Sequence, residues 1–315
     1  MESFAKTHGP IDILGPIWVM MTTFSTDRLK QHIRLSDGRR LTFAEYGDPN
    51  GRPVLYCHGW PSSRLEPHAF ESAVSSLGLR LIAPDRPGYG LSDPHPKRTL
   101  SDCAADVSNL ADQLNIERFE LLGISGGGPY ALACAARIPD RLLSVVLVCS
   151  LAPLTSPEIT RGMVRLHRWL LLFAQKAPWL ARRVSVICLR GFWGKGEQVL
   201  PRQVEARLAE ADRQTLSNAD LRSALIASSS EALRRGVHGA ASDGFLYARP
   251  WDFDLRKIRV PVHLWHGEQD TILPPVMGRY LASTIPNCRA TFCPNDGHFS
   301  LPFNKTREIL QTVAA

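Results

Sequence analysis

The 315-residue sequence lacks the patterns that mark the commonest metal and cofactor sites. Its seven cysteines include no C-x-x-C pair, and no spaced cluster of histidine and cysteine predicts a metal. The glycine-rich stretch 123–128 has neither the G-x-G-x-x-G spacing nor the G-K-[ST] ending of nucleotide-binding loops. We therefore expect chemistry that uses neither a metal nor a cofactor.

A long uninterrupted apolar run is also missing. The most apolar stretch near the start, Ile11–Met21, is interrupted by Asp12 and Pro16, whereas a membrane helix needs about 20 apolar residues. The start has neither the cationic region nor the small-residue cleavage site of a convincing signal peptide. We interpret residues 1–28 as an N-terminal extension of uncertain order and expect no stable membrane insertion.

The cysteines do not form the framework of a disulfide-rich protein. Their number is odd, and several lie in apolar strand or helix patterns, as expected of buried reduced thiols. A disulfide between Cys288 and Cys293 stays an alternative. We favour an arrangement in which the two thiols lie on opposite faces of one short strand. This usage predicts a cytoplasmic protein.

Alternating strand and helix patterns organise most of the chain. With 44% hydrophobic and 21% charged residues, the sequence is that of a globular protein. Patterns in 29–151 and 246–315 alternate between short apolar strands and helices, which predicts a mostly parallel sheet flanked by helices. Residues 152–245 contain no convincing strand but several helical patterns, at 159–175, 180–189, 201–215 and 218–235, so we predict a helical insertion there.

The stretch Gly123–Gly127 carries the strongest functional signal. It joins an apolar strand pattern, 118–122, to a helix pattern rich in small residues, 128–137. Ser125 has a glycine two residues away on either side, which matches the nucleophile elbow G-x-S-x-G. The first N–H groups of the following helix would favour negative charge on whatever the serine attacks.

A candidate acid and a candidate histidine follow the serine along the chain. Asp270 comes directly after the apolar strand pattern 260–267, and His298 follows the short strand pattern 289–293. The order Ser125, Asp270, His298 is that of the α/β-hydrolase fold. His58-Gly59-Trp60-Pro61, after a strand pattern, also resembles the oxyanion loop of that superfamily, and Asp85–Asp93 resembles its next loop.

The sequence thus resembles the α/β-hydrolase superfamily over roughly residues 35–150 and 250–310. The resemblance implies an eight-stranded sheet, with a helical cap inserted between the sixth and seventh core strands. It also implies that Ser125 is the nucleophile, His298 the general acid and base, and Asp270 the acid that orients the imidazole. The backbone N–H groups of Trp60 and Gly126 would form the oxyanion hole.

Other residues compete for these roles. Glu268 and Asp296 are rivals of Asp270, but we expect Glu268 to point to another side of its loop. Asp296 is too close in sequence to His298 to orient its imidazole across the site. We leave His58 out of the triad and expect it to brace the oxyanion loop.

The helical insertion carries most of the net charge. Residues 151–245 hold 14 lysines and arginines against 8 aspartates and glutamates, which gives +6 of the total +7. A solvated helix exterior is the favoured explanation, and a face for anionic substrates or a membrane surface is the alternative. Arg161, Arg165 and Arg168 are spaced to share one helical face. No basic stripe interleaved with aromatic residues suggests nucleic acid.

We expect a hydrolase acting on a small carboxylic ester or lactone, working as a monomer or homodimer. A serine at the elbow argues against the relatives that use an aspartate nucleophile, such as epoxide hydrolases. Hydrolysis of a C–C bond or an amide by the same triad stays an alternative. A ligand-binding receptor or scaffold of the same fold, with slow turnover, is a further one.

Overall fold

The computed structural model describes residues 26–154, 158–161, 163, 176, 186–187, 200 and 202–314, and in these ranges eight strands form one sheet. The strands are β1 (Gln31–Arg34), β2 (Arg40–Gly47), β3 (Arg52–Cys57), β4 (Leu79–Pro84), β5 (Phe119–Ile124), β6 (Leu142–Val148), β7 (Val262–Gly267) and β8 (Cys288–Cys293). The helices are α1 (Glu71–Ser76), α2 (Cys103–Gln113), α3 (Gly128–Arg137), α4 (Arg202–Glu205), α5 (Glu210–Ser217), α6 (Ala219–Ala232), α7 (His238–Ala248), α8 (Pro275–Thr284), α9 (Ser300–Asn304) and α10 (Thr306–Ala314).

The sheet has the order β1-β2-β4-β3-β5-β6-β7-β8. β1 and β2 pair antiparallel, as do β2 and β4, and the remaining neighbours are parallel. At the centre, Cys57 of β3 lies opposite Gly123 of β5, and Gly123 lies opposite Leu147 of β6. The carboxyl ends of the parallel strands therefore meet at one edge, where open α/β sheets bind their ligands. The predicted fold class is confirmed.

Both faces of the sheet are covered by helices, which explains the continuously apolar central strands. All six residues of β5 are buried. On one face, α2, α3 and α8 contribute side chains such as Leu110, Leu132 and Leu281 to one core cluster. On the other face, α1 and α10 contribute Val74 and Val313 to a second cluster. This packing holds the strand ends, and the loops that follow them, in fixed relative positions.

Between β6 and β7 the described residues contain the helices α4–α7, hereafter the inserted helices. The helical patterns predicted in 201–215 and 218–235 correspond to α4, α5 and α6. Those predicted in 159–175 and 180–189 lie almost wholly outside the described residues. The predicted boundary between residues 245 and 246 falls inside α7, which continues to Ala248. The helix ends there because Arg249 precedes Pro250 and adopts extended backbone.

Residues 1–25, the greater part of the predicted N-terminal extension, lie outside the described residues. A short 3₁₀ helix, Thr26–Leu29, already packs on the core, because the Leu29 side chain is buried and its carbonyl oxygen accepts from Arg64 Nε at 2.7 Å. The six cysteines within the described ranges are all free, Cys288 and Cys293 included. No helix in those ranges is both long and apolar enough to cross a membrane.

Candidate active site

Ser125 sits in a sharp turn at the carboxyl end of β5. Its φ is +53°, a left-handed conformation that is costly for a residue with a side chain. A Cβ atom on Gly127 would lie 1.9 Å from the carbonyl oxygen of Cys57, so only glycine allows the turn to approach β3 this closely. The helix α3 begins directly afterwards at Gly128. The predicted strand–turn–helix setting of the serine is therefore present.

His298 contacts Ser125 from a different loop at the same edge of the sheet. It lies in the loop between β8 and α9, and its Nε2 is 3.0 Å from Ser125 Oγ. The side chain is buried, which excludes most water from the imidazole. At this distance the histidine can accept the hydroxyl proton of the serine directly.

Asp270 holds the far side of the same imidazole. Its Oδ2 is 2.7 Å from His298 Nδ1, and its Oδ1 accepts the backbone N–H groups of Ile272 at 2.9 Å and Leu273 at 2.8 Å. These bonds fix the carboxylate and place the imidazole proton on Nδ1, which leaves Nε2 free to accept from Ser125. The three predicted residues are therefore brought together in one hydrogen-bonded chain.

The rival acids point elsewhere. Glu268 forms an ion pair with Arg279, 2.7 Å between Oε1 and Nη2. Asp296 accepts from Asn304 Nδ2 at 2.7 Å. His58 is fully buried, and its Nε2 accepts the backbone N–H of Arg86 at 3.3 Å. Neither rival acid is bonded to the imidazole, and His58 supports the loops beside the site.

The pKa of His298 is raised above its ordinary value. Burial alone would lower this pKa because it penalises the charged imidazolium. The Asp270 carboxylate, through its charge and its hydrogen bond, together with the carboxylates of Asp212 and Glu66, raises this pKa and outweighs burial. The surroundings thus favour the protonated histidine that would form when Ser125 gives up its proton.

The two predicted oxyanion donors belong to neighbouring segments. Gly126 follows Ser125 at the start of the helical turn, and Trp60 lies against it, since a Cβ atom on Gly126 would be 2.7 Å from Trp60 Cβ. The Glu66 carboxylate fixes the preceding peptide by accepting the Gly59 N–H at 2.8 Å. The arrangement places the Trp60 and Gly126 backbones side by side next to Ser125, and their role as donors stays a prediction.

Sequence reasoning missed a buried polar network behind this loop. Asp243 of α7 is fully buried and accepts from Arg86 Nε at 2.8 Å and from the Tyr130 hydroxyl at 2.6 Å. Arg86 in turn donates to the Gly59 carbonyl oxygen at 2.8 Å, and the Tyr247 hydroxyl donates to the Gly126 carbonyl oxygen at 2.7 Å. The spacing of Asp243 and Tyr247, four residues apart on one helix, was the available signal.

A cavity of about 210 Å³ opens at Ser125. Its walls come from the oxyanion loop, the turn after β5, the inserted segment and the α9 region, and they are mainly apolar. No arginine or lysine is among the described residues that line it, and the one carboxylic acid and the one imidazole there are Glu66 and His298. Representative lining side chains are Trp60, Leu151, Met163, Leu225, Tyr247 and Phe303.

One group of residues could be considered as metal ligands. Ligand atoms of Cys149, Asp270 and His298 lie within 4.8 Å of one another, which makes them the one such group within the described ranges. Asp270 and His298 already bind each other. Burial raises the pKa of the Cys149 thiol well above its ordinary value, which opposes formation of the thiolate that a metal would need. These residues fit a catalytic hydrogen-bond chain better than a metal site.

Comparison with known proteins agrees with this fold. The family model described as the alpha/beta hydrolase fold matches residues 52–181. A non-heme chloroperoxidase of Streptomyces lividans is 35% identical over 123 residues, which are 38% of this chain and 45% of that protein. The chain thus spans less than half the length of this relative.

Longer similarities extend over most of the molecule. A 2-hydroxymuconate semialdehyde hydrolase of Pseudomonas putida is 28% identical over 269 residues, 84% of this chain and 86% of that protein. The solved structure of a thermophilic esterase from Thermogutta terrifontis superposes with a TM-score of 0.64 at 24% identity. That match covers 90% of this chain and all of the esterase, and it shows a shared fold.

Proposed function

Because the chain belongs to the α/β-hydrolase superfamily, we propose that it is a serine hydrolase that cleaves a small carboxylic ester or lactone. One observation carries this proposal: the chain of hydrogen bonds from Asp270 through His298 to Ser125 ends at the floor of an apolar cavity. A half-buried nucleophile with a buried base and a buried orienting acid, in this geometry, is typical of acyl transfer.

In the first half of the reaction, Ser125 Oγ attacks the carbonyl carbon of the substrate while its proton passes to His298 Nε2. Asp270 keeps the imidazole oriented and stabilises the imidazolium without accepting its proton. Negative charge moves onto the carbonyl oxygen, where the N–H groups of Gly126 and Trp60 are suited to stabilise it. Each such donor contributes about 2.7–4 kcal/mol in known serine hydrolases.

In the second half, the tetrahedral intermediate collapses to an acyl-enzyme and the alcohol leaves with the proton from His298. His298 then takes a proton from water, the resulting hydroxide attacks the acyl carbon, and Ser125 recovers its proton as the acid departs. With a lactone, the alcohol and the acyl group belong to one molecule, so the alcohol stays tethered until the acyl-enzyme is hydrolysed.

The cavity favours a compact, uncharged acyl group. Its mainly apolar walls would gain roughly 25 cal/mol for each Å² of apolar substrate surface removed from water. Arginine and lysine, which would bind a free carboxylate on the substrate, are absent from the lining among the described residues. The likeness to a solved esterase supports the same substrate class.

Hydrolysis of a C–C bond is a second candidate. It is favoured by the Pseudomonas putida relative, whose name describes a semialdehyde hydrolase and whose similarity extends over 84% of this chain. The same serine, histidine and aspartate would serve there, so the substrate alone distinguishes the two candidates. The compound in that name, 2-hydroxymuconate semialdehyde, which is the enol form of a keto acid, belongs in the substrate panel beside the esters.

The proposal is tested with p-nitrophenyl esters of increasing acyl length, several lactones and the Ser125→Ala variant. We expect turnover by the wild-type protein and a loss on the order of 10⁶-fold in kcat for Ser125→Ala. A fluorophosphonate should label Ser125 alone. The exposed Ser283, changed to alanine in the same way, is the matched control and should leave both readouts unchanged.

Three results would contradict the proposal. Ester turnover that survives in Ser125→Ala, or labelling at another residue, would exclude Ser125 as the nucleophile. A single stoichiometric release of product, with a tightly held ligand, would indicate a binding protein. Turnover of the keto acid without turnover of any ester or lactone would favour C–C bond hydrolysis.

A further inference from the structure

Asp212, on the inserted helix α5, reaches the loop that carries His298. Its side chain is fully buried, and Oδ2 accepts the backbone N–H of His298 at 2.9 Å. Oδ1 accepts the N–H groups of Phe299 at 2.9 Å and Ser300 at 2.8 Å, and also the Ser300 hydroxyl at 2.9 Å. One carboxylate from the inserted helices therefore binds three consecutive peptides of the candidate catalytic loop.

These four hydrogen bonds take the place of a counter-ion. A buried carboxylate is costly unless it is paired or well hydrogen-bonded, and within the described residues no ion pair involves Asp212. The approach is close, because a Cβ atom on Gly297 would lie 2.4 Å from Asp212 Oδ2. The contact thus depends on this carboxylate and on the backbone of 297–300, and it is independent of Asp270.

We propose that Asp212 is a positioning residue, which fixes the backbone of His298 and so links the seating of the inserted helices to the alignment of His298 with Ser125. The inference rests on the proposed function. When α5 is seated, the His298 N–H is held and Nε2 faces Ser125 Oγ at 3.0 Å. When α5 is displaced, the loop loses all four bonds at once, and the bond between His298 and Asp270 is left to hold the imidazole alone.

The charge of Asp212 gives the proposal an independent readout. Among the residues that the structure describes, the titratable groups that face His298 from the surrounding elements are Asp270, Asp212, Glu66, His266 and Cys149. Of these, the carboxylates of Asp270, Asp212 and Glu66 raise the pKa of His298. Removing the negative charge of Asp212 should therefore lower this pKa, and the acidic limb of the pH dependence of kcat/KM should move to lower pH.

The test compares Asp212→Asn and Asp212→Ala with wild type, using a neutral p-nitrophenyl ester that wild type hydrolyses. Asparagine keeps one oxygen acceptor, but its amide N–H group would face a backbone N–H group, and two donors cannot bond each other. The loop therefore loses part of its support. We expect kcat to fall by up to about 10²-fold, because a small displacement of a catalytic group lowers the rate by about this factor. KM should change little. The acidic limb should move to lower pH in both variants.

Glu210→Gln is the matched control, because it removes an exposed acid from the same helix, where Glu210 pairs with Arg213. It should retain wild-type kcat and pH dependence. If the Asp212 variants do not fold, Ser300→Ala removes one donor to the carboxylate and should still lower kcat several-fold at unchanged KM.

Folded Asp212 variants with wild-type kcat and an unmoved acidic limb would overturn the proposal. If the Asp212 variants do not fold, an unchanged kcat in Ser300→Ala would overturn it. Failure of the proposed function is distinguishable, since wild type itself would then hydrolyse no ester.

Discussion

The Arg86 guanidinium binds the fully buried Asp243 carboxylate, with 2.8 Å between Nε and Oδ2. Arg86 belongs to the loop after β4 and Asp243 to the inserted helix α7, so the pair joins the inserted helices to the sheet. Through its Nη2 the same guanidinium holds the Gly59 carbonyl oxygen, one residue before Trp60. The predicted oxyanion loop is therefore held by a charged pair that reaches across the two parts of the molecule.

Removing the carboxylate of Asp243 should destabilise the protein strongly. Asp243→Ala would leave the buried guanidinium groups of Arg86 and Arg98 uncompensated, and breaking such a pair costs about 3–5 kcal/mol. We expect the free energy of unfolding, measured in urea, to fall by an amount in this range. Asp220→Ala, which removes an exposed acid from the inserted helix α6, is the control and should change little. A fall below about 1 kcal/mol for Asp243→Ala would mean that water solvates the two guanidinium groups in place of the carboxylate.

The acid of the proposed triad can be identified by three matched variants. Asp270→Asn should lower turnover by roughly 10⁴-fold, because an amide cannot hold the imidazole in the required tautomer. Within the described part of the chain, Glu268→Gln breaks the ion pair with Arg279 and Asp296→Asn disturbs a bond with Asn304, so both should cost far less. The measurement is kcat on one activated ester at fixed pH. If Asp296→Asn were the crippling change, the assignment of Asp270 would be wrong.

The sequence was sufficient to predict the sheet and the three residues at its edge. Strand ends and turns are encoded by local sequence patterns, and Ser125, Asp270 and His298 each come shortly after a predicted strand. The contact of Asp212 with His298 and the pair of Arg86 with Asp243 could not be predicted in this way, since 86 and 157 residues separate the partners. The helix α7 was not among the predicted helical patterns because glycine and serine weaken its pattern, and packing against the oxyanion loop supplies the missing stability.

The pH dependence of kcat/KM should report the raised pKa of His298. The free enzyme needs a neutral imidazole to accept the serine proton, so activity rises as the pH increases through this pKa. Because Asp270 and the neighbouring carboxylates raise it, we expect the midpoint of the acidic limb to lie above the ordinary histidine value of 6.5. Measurement on a neutral ester between about pH 5 and 9 avoids titration of the substrate. A midpoint clearly below 6.5 would show that burial outweighs the carboxylates.

The charge of the cavity should decide which acyl groups are accepted. Glu66 lines the cavity beside the oxyanion loop, and no arginine or lysine does so among the described residues. We therefore expect a neutral ester to have a higher kcat/KM than an anionic ester of the same size at pH 8. Glu66→Gln should raise the relative kcat/KM of the anionic ester by about tenfold, the scale of one unit-charge contact in a partly buried site. Glu268→Gln removes a carboxylate outside the cavity lining and is the control.

The basic residues of the inserted segment should have no such effect. Arg161 has an exposed side chain, and Arg165 and Arg168, predicted to share its face, lie outside the described residues. If this face is solvated, neutralising all three arginines alters solubility and leaves the ratio of kcat/KM for the anionic and neutral esters unchanged. A selective loss on the anionic ester, shrinking at high salt, would place the arginines near the substrate instead. An equal loss on both esters would mean that the insertion of residues 152–245 had been destabilised, which the unfolding midpoint in urea would reveal.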